Sequence, residues 1–233
     1  MTPHFRYPTI SRRSFLRSLA VAPAAATLAR ASADGVDTAA EGFIDAHVHV
    51  WTKDVDRYPL AEGFNREDMS PPSFTPEQLF AHCRPHGVAR VVLIQMSYYG
   101  SDNRYMLDCI ARHPAAFRGV AIIDGRRPGA CDEMRRLAGQ GVRGFRLYAD
   151  KAAAEAWTGS PEMKAMWSCA ADHGLAMCLL ADPDALPAAR RMCERFPKTR
   201  VVIDHFARIG MRGPVREEDV ENLCRLADFR HTF

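Results

Sequence analysis

The sequence predicts an α/β fold built of parallel βα units, and two observations carry that prediction. First, short apolar runs at 88–96, 117–123, 142–148, 175–181 and 201–204 alternate with helical stretches. Strands buried on both faces read as near-continuous apolar runs, and crossovers of roughly ten residues suit parallel neighbours. Second, Phe43-Ile44-Asp45-Ala46-His47-Val48-His49-Val50-Trp51 opens the alternation with a strand that carries two histidines at i and i+2. Residues two apart on a strand share a face, so both imidazoles point the same way. A barrel and a doubly wound sheet both satisfy this alternation.

The elements follow in order. Ser11-Arg12-Arg13-Ser14-Phe15-Leu16-Arg17, the apolar run Leu19 to Leu28 and the small residues Ala31-Ser32-Ala33 form the charge, apolar and cleavage pattern of a twin-arginine export signal over 1–33. The mature chain is expected to begin near Asp34, with the twin-arginine translocase as a transient partner and a periplasmic or secreted destination. The apolar run is too short, and too interrupted by Pro23, for a stable membrane span, and no later run reaches the ~18 apolar residues a span needs.

Residues 34–42 read as a linker, 43–50 as the first strand and 52–76 as a polar excursion of the kind that covers a barrel mouth. Thr75-Pro76-Glu77-Gln78 opens a helix with a capping residue and proline at its first position. Helices are expected at 103–112, 130–139, 161–173, 184–195 and 216–228, between and after the strands. That makes about six βα units, where a closed barrel of this type needs eight. Leu226 to Phe233 runs into the place of a seventh strand, so the chain reads as truncated, with open parallel edges.

Composition narrows the function. The 233 residues suit one domain plus an appendage, with 47% hydrophobic and 25% charged residues. The formal charge of +3 comes from Arg6, Arg12, Arg13, Arg17 and Arg30 in a leader without acids, which leaves −2 for the rest and argues against nucleic-acid binding. The seven cysteines are odd in number and contain no Cys-x-x-Cys, so no disulfide is expected and the thiols are read as small core hydrophobes.

Candidate chemistry gathers at the carboxyl ends of the predicted strands. His47 and His49 end the first strand, and imidazole both ligates metals and transfers protons. His205 stands at the mouth of the sixth, after Val201-Val202-Ile203-Asp204. On the fourth strand, Arg143 and Arg146 are three apart and face opposite ways, so only one points inward and needs an anionic partner there. Ser101, Asp102 and Asn103, like Asp182-Pro183-Asp184, read as caps and turn formers. His82, His86, His113, His173 and His231 read as structural.

Ile44-Asp45-Ala46-His47-Val48-His49-Val50-Trp51, Val142-Arg143-Gly144-Phe145-Arg146 and Ile203-Asp204-His205 together resemble the amidohydrolase superfamily. The likeness is to its amidohydrolase-related subgroup, which includes 2-pyrone-4,6-dicarboxylate lactonase and sugar lactonases. The resemblance covers 43 to about 230 and implies a (β/α)8 TIM barrel, here incomplete. It implies hydrolysis of a lactone or related ester of a small acidic or sugar-derived substrate. His47, His49 and His205 would polarise the carbonyl, directly or through a divalent ion, zinc first, held by His47 and His49. A metal-independent mechanism is the other option. By the same match Arg146, Arg208 and Ser97 would bind substrate. Two departures stand out: Cys178 and Leu179 occupy a strand where metal-dependent relatives carry a histidine, and the family's aspartate after the eighth strand has no counterpart before Phe233. Metal-dependent decarboxylation and an inactive truncated or non-catalytic binding protein are the rival readings.

Overall fold

A computed structural model describes residues 42–233. The export signal read at 1–33 and all but the last residue of the linker read at 34–42 lie outside the described residues. Six strands, β1 (Phe43–Val48), β2 (Val88–Ile94), β3 (Phe117–Ala121), β4 (Val142–Ala149), β5 (Ala176–Ala181) and β6 (Arg200–Ile203), form one parallel sheet. Their spatial order is their sequence order. A doubly wound sheet reverses direction at a switch point, and this one never does. It is a curled sheet, an incomplete (β/α)8 barrel with six βα units. Beyond β6 the backbone of His231 to Phe233 continues the ladder: Val201 N donates to His231 O at 2.8 Å and Phe233 N to Val201 O at 2.9 Å. Those residues occupy the place of a seventh strand.

The helices are α1 (Pro76–Cys83), α2 (Arg104–Arg112), α3 (Ala130–Gly139), α4 (Lys151–Trp157), α5 (Pro161–Asp172), α6 (Leu186–Arg195) and α7 (Glu217–Leu226). Thr75 closes a capping box with Gln78 ahead of α1, and Ser160 Oγ accepts from Met163 N ahead of α5. Both satisfy backbone donors that a helix start leaves open. The sequence reading ran from the fourth strand straight to residue 161 and missed α4. Asp150 begins that helix by accepting from Ala153 N at 2.8 Å, and its inner face buries Ala154 and Trp157.

Alternation along the strands sorts side chains into two layers. Leu93, Phe117, Met177, Leu179 and Val201 join the large core between sheet and helices, with Trp167 and Met192 from the helix side. Ile94, Val120 and Cys178 form a second, smaller cluster on the other face, flanked by Val92 and Val202. Arg146 is paired in register with Cys178 and is itself buried.

Two readings need correction. Cys131 and Cys169 form a disulfide. The pairing was invisible in sequence because 38 residues separate the two; it arises because α3 and α5 lie side by side and bring the Cα atoms to 5.8 Å. Asp182 makes no cap bond. Its carboxylate instead pairs with Arg208 at 2.9 Å, because the strained turn after β6 delivers that guanidinium to it.

Candidate active site at the carboxyl ends of the strands

His47 and His49 leave the end of β1 with ring centroids 5.4 Å apart, edge to face. His49 Nδ1 lies 2.9 Å from the Ile94 carbonyl, which can only accept, so Nδ1 carries the proton and Nε2 keeps its lone pair. Burial pushes the His49 pKa down, partly opposed by the Ile94 hydrogen bond and assisted by the positive charge of Arg146. His49 is therefore a neutral imidazole with one open nitrogen.

Arg146 and Asp204 form a buried ion pair beneath His47, with Nη2 2.7 Å from Oδ2. The same Nη2 lies 3.1 Å from His47 Nε2, and His47 Nδ1 lies 3.4 Å from Asp204 Oδ1. A guanidinium can only donate, so His47 Nε2 accepts and Nδ1–H faces the carboxylate. Burial works against ionisation of Asp204, but hydrogen bonds from His47 and Arg146 more than offset it and hold the carboxyl below the usual range. Arg146 Nε is buried without a protein partner. Arg143, on the opposite face as its spacing requires, is exposed and bonds Ala138 O.

Asp204 begins a turn in which His205, Phe206, Ala207 and Arg208 all have positive φ, between 49° and 55°. Each non-glycine residue there costs about 1–2 kcal/mol, so the turn persists only where its surroundings impose it. Three anchors do so: Asp204 in its ion pair, Ala207 wholly buried, and Arg208, whose Nε donates to Ala181 O at 3.3 Å. The turn sets the His205 ring 4.7 Å from that of His47 and leaves Phe206 79% exposed at the mouth. Arg208 reaches the β5 end but spends its charge on Asp182. Ser97 Oγ lies 3.2 Å from the Tyr148 hydroxyl, joining the ends of β2 and β4.

The structure thus gathers His47, His49, His205 and Arg146 in one cluster, with Ser97 and Arg208 on its flanks. A family model described as Amidohydrolase matches residues 44–230. The chain belongs to the amidohydrolase family. An L-fucono-1,5-lactonase of Burkholderia ambifaria is 29% identical over 71% of this chain and 57% of its own length. A 2-pyrone-4,6-dicarboxylate hydrolase of Comamonas testosteroni is 30% identical over 76% of this chain and 56% of its own. The chain therefore spans somewhat over half the length of these curated relatives. A solved amidohydrolase of Burkholderia multivorans with bound zinc aligns at TM-score 0.65 and 18% identity, covering 81% of this chain and 67% of that one, and supports the fold.

A relative of the same fold holds zinc, and the donor set here offers such an ion little. His47 has both nitrogens engaged, and a guanidinium fills the place a cation would take. His49 offers only Nε2. Among the described residues, three metal-ligating atoms converge within 4.8 Å only at Cys131, Cys169 and His173, outside this cluster. As arranged here, the strand-end histidines do not make a metal site.

Sequence reasoning missed two members of the cluster. Asp204 is one: a carboxylate at a strand end next to His205 is itself a signal. Tyr148 follows Arg146 at i+2 and shares its face, a placement strand periodicity could have given.

Proposed function

We propose that this protein hydrolyses a lactone or related ester of a small acidic or sugar-derived molecule, by a mechanism that needs no metal. One observation carries the reading: His47 lies between the Asp204 carboxylate and the Arg146 guanidinium. A carboxylate on Nδ1–H fixes the tautomer of an imidazole and stabilises its protonated form, which suits His47 to take a proton from attacking water through Nε2. Nε2 must first be released by Arg146, and a substrate oxyanion offers the guanidinium a better partner. His49, neutral and open at Nε2, and His205 border the same space and can orient the carbonyl. The lactone-hydrolysing relatives favour this chemistry, and their names supply the substrate class.

The test is proton release from sugar 1,5-lactones and pyrone dicarboxylates by the purified chain, with and without a chelator. Chelator-resistant hydrolysis lost in His47→Asn supports the reading. Release of CO2 in place of ring opening, or activity only after added zinc, overturns it.

We also propose that the chain is exported by the twin-arginine route. The Cys131–Cys169 disulfide supports an oxidising destination. Retention of an Arg12→Lys, Arg13→Lys variant in the cytoplasmic fraction is the expected result, and unchanged export of that variant overturns it.

A further inference from the structure

We propose that Cys131, Cys169 and His173 form a redox-gated metal site, closed as a disulfide and, once reduced, open to one thiophilic divalent cation of the zinc class. Cys169 and His173 are four apart at the carboxyl end of α5, so they share one helix face. Cys131, in the first turn of α3, meets that face from across the helix pair. The three ligating atoms lie within 4.8 Å of one another. Two thiolates and an imidazole, with water in the fourth position, match an open tetrahedral zinc set, whose ligand atoms stand roughly 3.5 Å apart for bonds of 2.0–2.3 Å. Breaking the S–S bond lets the sulfurs relax to that spacing without moving the helices.

Access and chemistry agree with the assignment. Cys169 is buried, but Cys131 is half-buried and His173 exposed. A cavity of about 300 Å³ lined by Pro128, Gly129, Cys131, Pro161, Ala165 and Met166 opens on to Cys131. In the balanced step, a dithiol reductant supplies two electrons and two protons, breaks the S–S bond and becomes a disulfide. Binding of the cation then releases both thiol protons to solvent. Oxidation by a disulfide reverses the sequence and expels the ion.

The test uses the full chain in a Cys224→Ser background, which removes the exposed thiol on α7. The protein is reduced with a phosphine, free thiols are counted, circular dichroism checks the fold, and Cd²⁺ is titrated. Thiolate-to-cadmium absorption distinguishes this site from the strand-end histidines. The expected result is one equivalent of Cd²⁺ bound by the reduced, folded chain, none by the oxidised chain, at least tenfold weaker binding in His173→Ala, and release by glutathione disulfide. A pair that resists reduction in the folded protein, unfolding on reduction, or Cd²⁺ absorption no greater than in Cys131→Ser each overturns the proposal.

Discussion

Arg146 Nη2 lies 2.7 Å from Asp204 Oδ2, with only 3% and 5% of the two side chains exposed. One guanidinium from β4 and one carboxylate from the end of β6 thereby neutralise each other across β5, beneath the histidines.

Removing one partner leaves a buried charge unopposed, which typically costs about 3–5 kcal/mol. Arg146→Met is expected to destabilise by that order in urea unfolding. Arg146→Met combined with Asp204→Leu should recover most of the loss, because apolar replacement of both partners removes the uncompensated charge. A double variant no more stable than Arg146→Met would show that the pair contributes through something other than charge compensation.

Stability should fall on acidification in two windows. The depressed pKa of buried His49 means the unfolded chain takes up a proton first as pH drops below about 6.5, so stability rises with pH from the lowered folded value to the unfolded one. Asp204 acts lower: its contribution is present above about pH 3.9, the unfolded value, and is lost as pH falls through its depressed folded value. Urea midpoints between pH 7 and 5 should show the first loss, and His49→Gln should flatten it.

The turn after β6 stores strain at an exposed residue. Phe206 has φ 49° and is 79% exposed, so its ring contributes little packing while its Cβ strains the backbone. Glycine adopts this conformation freely at a cost in unfolded-state entropy, for a net gain of about 0.5–1 kcal/mol. Phe206→Gly should raise the melting temperature slightly. A lowered one would mean that the ring, not the backbone, dominates there.

How far the sequence could be read follows the range of the interactions. The six strands and six of the seven helices were legible because period and capping are local: Thr75 and Gln78 meet in their capping box three residues apart. Asn103 shows where local reasoning stops. It was read as a cap, yet it makes no cap bond; its buried amide donates to Ile122 O at 2.8 Å and accepts from Ile122 N at 3.0 Å, pinning the end of β3. The strand-end histidines were legible from the motif. The links of His47 to Arg146 and Asp204 were not, because they span 99 and 157 residues and depend on the curl of the sheet.

Asp204→Asn separates the fold from the chemistry. The amide keeps the shape and one acceptor for Arg146, but it presents a neutral group, or an N–H, to His47 Nδ1. The imidazole then loses the carboxylate charge that would face it when it takes a proton through Nε2. Buried charge is also altered, so some loss of stability accompanies the change and is measured separately by urea unfolding. If His47 is the base, lactone hydrolysis should fall in kcat by about 10²–10⁴-fold with little change in KM, the range for losing positioned general-base catalysis. A rise in KM with kcat unchanged would place Asp204 in substrate binding. Unchanged kcat in a folded variant would remove His47 from proton transfer and leave Arg146 and His49 to carry the reaction.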